Sequence, residues 1–272
     1  MKAILMDLLA DQPDGLQAHS TAREYLQARI LLALQDHGAF TDWAFLGGTA
    51  LRFLYRLPRY SEDLDFSLAT PGADARFERL MHAVRNDLAA EAYAVEVTVR
   101  TRATVAIGMV RFRGLLHEAG LSPHAAEVLR IRVDLDTNPP AGATTETRLI
   151  RRFGMLNLLH YDRASLFAGK LHAVLARGYT KGRDLYDLAW YLADPEWPAP
   201  NLTLLNNALR QTGWTGPAVT SDTWRELIAD RLSSVDWQAA RDDVSPFLER
   251  AEEVRLVSGE VLLPLLRPRP AG

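Results

Sequence analysis

Two aspartates separated by one apolar residue, Asp63 and Asp65, follow a Gly47-Gly48 turn in the segment 45–68, FLGGTALRFLYRLPRYSEDLDFSL. The segment has the pattern of a strand, a turn, an amphipathic helix and a second strand. Side chains two residues apart in a strand point to the same face, so both carboxylates can reach one hard cation. The glycines let the backbone approach a ligand, and the N-terminus of the following helix favours an anion. This arrangement is typical of a Mg²⁺ or Mn²⁺ site that holds a phosphate.

A third carboxylate is expected from a neighbouring strand. The segment 131–136, IRVDLD, places Val133 and Leu135 on one face of a predicted strand and Asp134 and Asp136 on the other. A second pair of acids in the same sheet is better explained by a shared cation than by surface decoration.

A lysine in an apolar helix face is the next candidate. The segment 162–178 predicts a helix that begins at Asp162 or Ser165 and stops near Gly178. At about 100° per residue, Lys170 lies among the apolar side chains of this helix. A lysine in such a position either extends its amine to solvent or is held by an anion.

Two more aspartates follow in the segment 181–188, KGRDLYDL. Asp184 and Asp187 are three residues apart and therefore share one face of a predicted helix, where Arg183 is expected to pair with Asp187. One aspartate can cap the helix, while the other acts as a base or orients the lysine, and the sequence leaves both assignments open.

Positive charge is concentrated in one part of an acidic chain. Eight Lys or Arg residues and one acid lie between Thr147 and Arg183, whereas the net charge of the chain is −3. Such a stretch is typical of a surface that contacts phosphates, and the alternative is a set of solvated helix faces. The candidates for contacts with nucleic acid are Arg148, Arg151, Arg152, Arg177, Lys181 and Arg183.

The chain resembles the AbiEii-type (MenT-like) toxins, a branch of the DNA polymerase beta superfamily of nucleotidyltransferases. The resemblance rests on the GGT turn, the helix after it, the SEDLDFS strand and the RDLYDL segment. The wider superfamily has Gly-Ser at the turn, where this chain has Gly48-Thr49, so the Thr49 hydroxyl is the candidate replacement. The resemblance implies that Asp63, Asp65 and Asp134 bind metal and that Lys170 contacts the triphosphate. It further implies a nucleotide site made of Gly47, Gly48, Thr49, Ser61 and Lys170, with catalytic roles for Asp63, Asp65, Lys170, Asp184 and Asp187.

An enzyme of this type transfers a nucleoside monophosphate from an NTP to an acceptor and releases pyrophosphate. The resemblance implies that the acceptor is the 3′ end of tRNA and that the protein is a toxin with a separate antitoxin. Two alternatives stay open: transfer to a hydroxyl of a protein or of a small molecule such as an aminoglycoside, and a nucleotide-binding regulator without turnover. The net negative charge disfavours a polynucleotide-binding protein without catalysis.

The elements that position these residues predict an α+β protein. Residues 1–145 are expected to form a polymerase-beta-like α/β core with a mixed or antiparallel sheet, and residues 146–272 a helical domain that contributes the lysine and the closing aspartates. Helices are predicted at 21–37 and 73–92, strands at 94–101, 104–115 and 128–136, and a helical pattern from about 150 to 193.

Composition excludes several classes of protein. The chain is 48% hydrophobic and 24% charged, as in ordinary globular proteins. It contains no cysteine, which excludes disulfides and thiolate metal sites. Acidic residues near the start argue against a signal peptide, and no apolar run is long enough to span a membrane, so we expect a cytoplasmic protein that does not bind membranes.

Overall fold

The computed structural model describes residues 1–10, 15–179 and 181–267. The fold is α+β, with a mixed seven-stranded sheet and its helices followed by a mainly helical region. The chain divides into two compact units. The first comprises Met1–Arg56, Tyr60–Pro139 and Glu146–His160, and the second comprises Leu57–Arg59, Pro140–Thr145 and the residues from Tyr161 onward.

The sheet belongs to the first unit, apart from the terminal residues Thr145 and Tyr161. Its strands are β1 (Trp43–Leu46), β2 (Leu64–Leu68), β3 (Val95–Arg100), β4 (Val105–Arg113), β5 (Val128–Asp136), β6 (Thr145–Arg151) and β7 (Met155–Tyr161). Their order is β3-β4-β5-β2-β1-β7-β6. Because β2 pairs antiparallel with β1 and parallel with β5, the sheet is mixed. The three strands predicted between residues 94 and 136 are confirmed.

In the described part of the first unit, five α-helices accompany the sheet: α1 (Lys2–Ala10), α2 (Gly15–Asp36), α3 (Gly47–Tyr55), α4 (Phe77–Ala90) and the short α5 (Leu115–Glu118). Helix α2 begins six residues earlier than the sequence predicts, because its first turns bury small side chains such as Ala18 and Ser20 that leave no apolar stripe. Helix α4 covers one face of the sheet, where Met81 lies so close to Gly108 of β4 that a Cβ there would collide with it.

Alternation along the central strands builds the core of this unit. Leu64 and Phe66 of β2 and Val133 of β5 are buried, whereas the residues between them point to the opposite face. Aromatic rings extend the core, since Phe66 stacks on Phe45 at 5.2 Å between ring centroids and Trp43 lies against Phe77 at 5.4 Å.

The predicted helical pattern is wrong for the residues at the start of its range, because residues 150 and 151 end strand β6 and 155–161 form strand β7. Leu156, Leu158 and His160 are buried and alternate with exposed Met155 and Asn157, which is the period of a strand. Consecutive leucines in MLNLLHY imitate a helical stripe and mask this alternation.

Among its described residues, the second unit contains six α-helices: α6 (Arg163–Ala176), α7 (Gly182–Ala193), α8 (Leu202–Gln211), α9 (Trp224–Leu232), α10 (Trp237–Val244) and α11 (Gly259–Leu265). Asp162 caps α6, where its Oδ1 accepts a hydrogen bond from the Ser165 N–H at 2.7 Å, so the cap is Asp162 and not Ser165. Phe167 stacks on Tyr191 at 4.7 Å inside this unit. Within the described ranges, no helix is both long enough and apolar enough to cross a bilayer.

Two glycines of the second unit should respond oppositely to alanine. At Gly182 a Cβ would overlap the carbonyl oxygen of Ala240, so Gly182→Ala should destabilise the protein by at least about 2 kcal/mol. Gly169 is exposed inside α6 with open space around it, so Gly169→Ala should stabilise the protein by up to about 1 kcal/mol. Urea unfolding of both variants measures the difference, and equal stabilities would contradict this packing.

Candidate active site

The pairing of β2 with β5 places carboxylates side by side. Asp65 is the register partner of Asp134, and Ser67 is the partner of Asp136. Register partners point to the same face of a sheet, so Asp65 and Asp134 are neighbours and Asp136 lies one step further along β5. Asp63 directly precedes β2 and is exposed. The structure therefore places Asp65 and Asp134 side by side on one face of the sheet, with Asp63 at the entry to β2.

The backbone of Gly47 lies in close contact with the side chain of Asp65. Strand β1 ends at Leu46, the antiparallel partner of Asp65, and Gly47 follows with a φ of 78°. A Cβ at Gly47 would overlap Oδ2 of Asp65, so both the backbone conformation and the carboxylate require glycine here. Because α3 also begins at Gly47, the unpaired N–H groups of its first turn start beside this carboxylate.

Thr49 and Ser61 hold the loop that leads into β2. The Thr49 side chain is fully buried, and its hydroxyl donates to the backbone carbonyl of Asp63. The carbonyl of Ser61 accepts a hydrogen bond from the Gln27 side chain at 3.0 Å. In this conformation the Thr49 hydroxyl fixes the position of Asp63.

Arg132 is a residue of this face that the sequence analysis missed. Its Nε donates to Oδ1 of Asp134 at 2.7 Å. That hydrogen bond raises the pKa of Arg132, and the charges of Asp63 and Asp65 act in the same direction. One guanidinium and three carboxylates thus share one electrostatic environment. The signal was present in the sequence, because Arg132 is two residues before Asp134 in an alternating strand.

The donor atoms on this face fit a hard divalent cation. Asp63, Asp65 and Asp134 offer carboxylate oxygens, the ligands that Mg²⁺ and Mn²⁺ prefer. In the part of the chain that the structure describes, no three His, Cys, Asp or Glu side chains are grouped closely enough to enclose a metal ion. Burial raises the pKa of Asp136, although the N–H of Asn138 acts against this shift.

The second unit contains a buried cluster of charges around Lys170. The Lys170 amine lies 2.8 Å from Oδ1 of Asp184 and 2.7 Å from Oδ2 of Asp187, and its side chain is 11% exposed. Arg59 donates from Nε and Nη2 to the two oxygens of Asp187, each at 2.6 Å, and Arg177 pairs with Asp184. Three cations surround two carboxylates, so the cluster carries a net positive charge. Lys170 points to the buried side of α6, as its position in the apolar face predicts.

Each charge in this cluster depends on the others. Burial opposes the charged form of Lys170, but Asp184 and Asp187 outweigh it, and the pKa of Lys170 is raised. Burial also opposes ionisation of Asp184, but Lys170 and Arg177 outweigh it, and the pKa of Asp184 is lowered. The lysine and this aspartate therefore stay charged at neutral pH.

The structure gives the first turn of α7 other contacts than the spacing suggests. Arg183, which was expected to pair with Asp187, has its Nε 3.6 Å from Asp243 and packs its guanidinium over Phe247. Asp184 is not a helix cap, since the N-cap position is Lys181 and no side chain caps there. Arg59 takes the place that Arg183 was expected to fill. It escaped notice because it lies in an irregular segment without periodicity.

The predicted nucleic-acid contacts are divided between the units. Arg148, Arg151 and Arg152 lie in the first unit, and Arg177, Lys181 and Arg183 lie in the second. Several are already engaged within the protein. Arg148 lies over the ring of Tyr55, and Arg152 pairs with Glu24, a buried acid that also binds Arg52 at 2.6 Å. Arg151 on β6 is exposed.

A family model described as "Nucleotidyl transferase AbiEii toxin, Type IV TA system" matches residues 29–256 of this chain. The chain belongs to the AbiEii nucleotidyltransferase toxin family. This membership confirms the predicted enzyme class and the predicted role as a toxin of a toxin–antitoxin system. An AbiEii toxin implies a nucleotide substrate and an antitoxin partner. Comparison with curated proteins returns no significant match.

Several solved structures resemble this AbiEii chain. The structure of JHP933 from Helicobacter pylori is 22% identical with a TM-score of 0.51, over 91% of this chain and 90% of that one. A putative nucleotidyltransferase from H. pylori is 21% identical with a TM-score of 0.49, over 90% and 92% of the two chains. The nucleotidyltransferase toxin MenT4 from Mycobacterium tuberculosis is 17% identical with a TM-score of 0.48, over 98% and 99%.

Removal of Arg59 should destabilise the protein strongly. Arg59→Ala leaves the fully buried Asp187 carboxylate without two of its hydrogen bonds, and loss of one partner from a buried ion pair costs about 3–5 kcal/mol. The matched control is Arg113→Ala, because Arg113 forms a similar two-bond pair with Glu96 on the exposed surface, where little change is expected. Urea unfolding compares the two variants. Equal losses of stability would contradict the assignment of the Arg59 pair as a buried structural contact.

Proposed function

We propose that this AbiEii-family chain transfers a nucleoside monophosphate from an NTP to the 3′ end of tRNA in a Mg²⁺-dependent reaction. The observation that carries the proposal is the juxtaposition of Asp65 and Asp134 on one sheet face, with Gly47 and the N-terminus of α3 beside Asp65. Phosphoryl transfer requires oxygen ligands for metal next to a site for phosphates, and this face offers both. NTPs and tRNA are both cytoplasmic, which is where we place the reaction.

The face of the sheet that carries Asp65 and Asp134, together with Asp63, is called the carboxylate face, and it would bind the reactants through metal ions. Asp63, Asp65 and Asp134 would hold Mg²⁺, which when bound polarises the phosphate that is attacked and lowers the pKa of the attacking hydroxyl. The Gly47-Gly48 backbone and the first turn of α3 would bind the phosphate oxygens. Thr49 would act through its hydrogen bond to the Asp63 carbonyl, which positions that carboxylate.

Lys170 has the proposed role of neutralising charge on the triphosphate. Its cluster carries three cations and two carboxylates, so the surplus charge favours an anion. Asp187 is fully buried and bound by Arg59 through both oxygens, which leaves it poorly suited to accept a proton. We therefore infer that Asp184 and Asp187 orient Lys170 and that neither is the general base.

Asp65→Asn tests this proposal. Loss of one metal-binding charge should lower NTP-dependent pyrophosphate release with tRNA and Mg²⁺ by about 100-fold or more, since metal stabilisation is worth several kcal/mol and 1.4 kcal/mol is tenfold. Removing one of several neighbouring like charges relieves repulsion, so the thermal midpoint without metal should stay equal or rise. The control is Asp36→Asn at the exposed end of α2, which should match wild type in both measurements. Wild-type turnover by Asp65→Asn would refute the metal assignment.

A further inference from the structure

One face of the strands β3, β4 and β5, here called the open face, carries exposed and half-buried side chains. Helix α4 packs on the opposite face, as the contact between Met81 and Gly108 shows. The outward residues of β4 alternate with buried ones, and Val105 at one end is 37% exposed. The open face is continuous with the carboxylate face, because β5 contributes to both and Asp134 is the register partner of Ile107 in β4.

Arginines dominate this open face. Arg130 of β5 is the register partner of Arg111 in β4, and Arg100 of β3 is the partner of Ile107. Arg100 and Arg130 are exposed, and neither side chain forms a hydrogen bond or ion pair with another described residue. The acid on the outward side of β3, Glu96, is bound through both oxygens by Arg113 at 2.6 and 2.9 Å. The face therefore has a surplus of positive charge.

A cavity of about 400 Å³ opens where this face meets Asp63. Three arginines and three acids balance one another in its lining: Arg23, Arg130 and Arg132, and Glu62, Asp63 and Glu127. It lies toward β5, whereas Gly47 lies on the β1 side of Asp65. The cavity is thus separate from the proposed phosphate site at α3, and it is lined by Asp63 and by Arg132, the hydrogen-bond partner of Asp134.

We propose that the open face binds the acceptor RNA strand, with its terminal nucleotide in the cavity beside Asp63 and its preceding phosphates on Arg130, Arg111 and Arg100. This inference rests on the proposed function and assigns the acceptor surface for it. Outward side chains repeat every ~6.7 Å along a strand and every ~4.8 Å across strands, so the guanidiniums form a two-dimensional array for successive phosphates. A protein partner would require apolar anchors, and on this side of β4 Ile107 and Met109 are half-buried while Val105, at the strand end, is 37% exposed.

The double variant Arg111→Gln/Arg130→Gln tests the acceptor surface. Two lost phosphate contacts on a single strand should flatten the slope of log K against log salt for tRNA binding by about 1.4. They should raise the KM for tRNA about tenfold near physiological salt and leave the KM for NTP unchanged. Arg111→Lys/Arg130→Lys keeps the charge and should restore the slope.

The matched control removes the same charge from the other side of the sheet. Arg79→Gln/Arg85→Gln changes two exposed arginines of α4, which packs on the covered face, and should behave like wild type. An unchanged slope and KM for Arg111→Gln/Arg130→Gln would overturn the inference while the proposed function stands. Normal tRNA kinetics with weakened antitoxin binding would also overturn it and make the face a protein-docking surface. Wild-type protein that transfers nucleotide to a non-RNA acceptor would overturn both the inference and the tRNA assignment.

Discussion

The close approach of the Gly47 backbone to the Asp65 carboxylate is the constraint on which the carboxylate face depends. A side chain at position 47 would displace Asp65, and the φ of 78° there is unfavourable for any residue with a Cβ. The antiparallel register of β1 on β2 fixes that approach, and the parallel register of β2 on β5 places Asp134 next to Asp65. A slip of one residue in either pairing would turn the carboxylates into the core. The geometry of the site is therefore a property of the sheet.

The charge cluster of the second unit depends on the pairing of buried charges and not on strand register. Buried charges are costly unless each has partners, and here two carboxylates are shared among Lys170, Arg59 and Arg177. The amine of Lys170 is held by contacts to both aspartates, so its position is set before any ligand arrives. Such preorganisation lowers the entropic cost of binding an anion.

Alternation and motif spacing were sufficient to predict much of this molecule. The strands from β3 to β5, the burial of Leu64 and Phe66 on either side of Asp65 and the inward direction of Lys170 all follow from local periodicity. Strand β7 was missed because tertiary pairing with β1 overrides the helical appearance of LNLLHY.

Local sequence patterns did not predict the ion pairs between residues that are far apart in the sequence. Arg59 and Asp187 are 128 residues apart, and no local pattern connects an arginine in an irregular segment with an aspartate in a helix. The i,i+4 rule pointed to Arg183 as the partner of Asp187, but Arg183 is drawn instead to Asp243 and Phe247. Arg132 is a different case. It lies two residues before Asp134 in an alternating strand, so its position on the same face as Asp134 could be predicted from the sequence.

The decisive measurement is incubation of the folded protein with total tRNA, Mg²⁺ and each NTP in turn, labelled at the α-phosphate. We expect label from at least one NTP at the 3′ end of tRNA, and we expect Asp65→Asn to abolish it. Label in a molecule other than tRNA would support nucleotidyl transfer but would refute tRNA as the acceptor. Label in tRNA that Asp65→Asn leaves undiminished would contradict the assignment of the carboxylate face as the catalytic site.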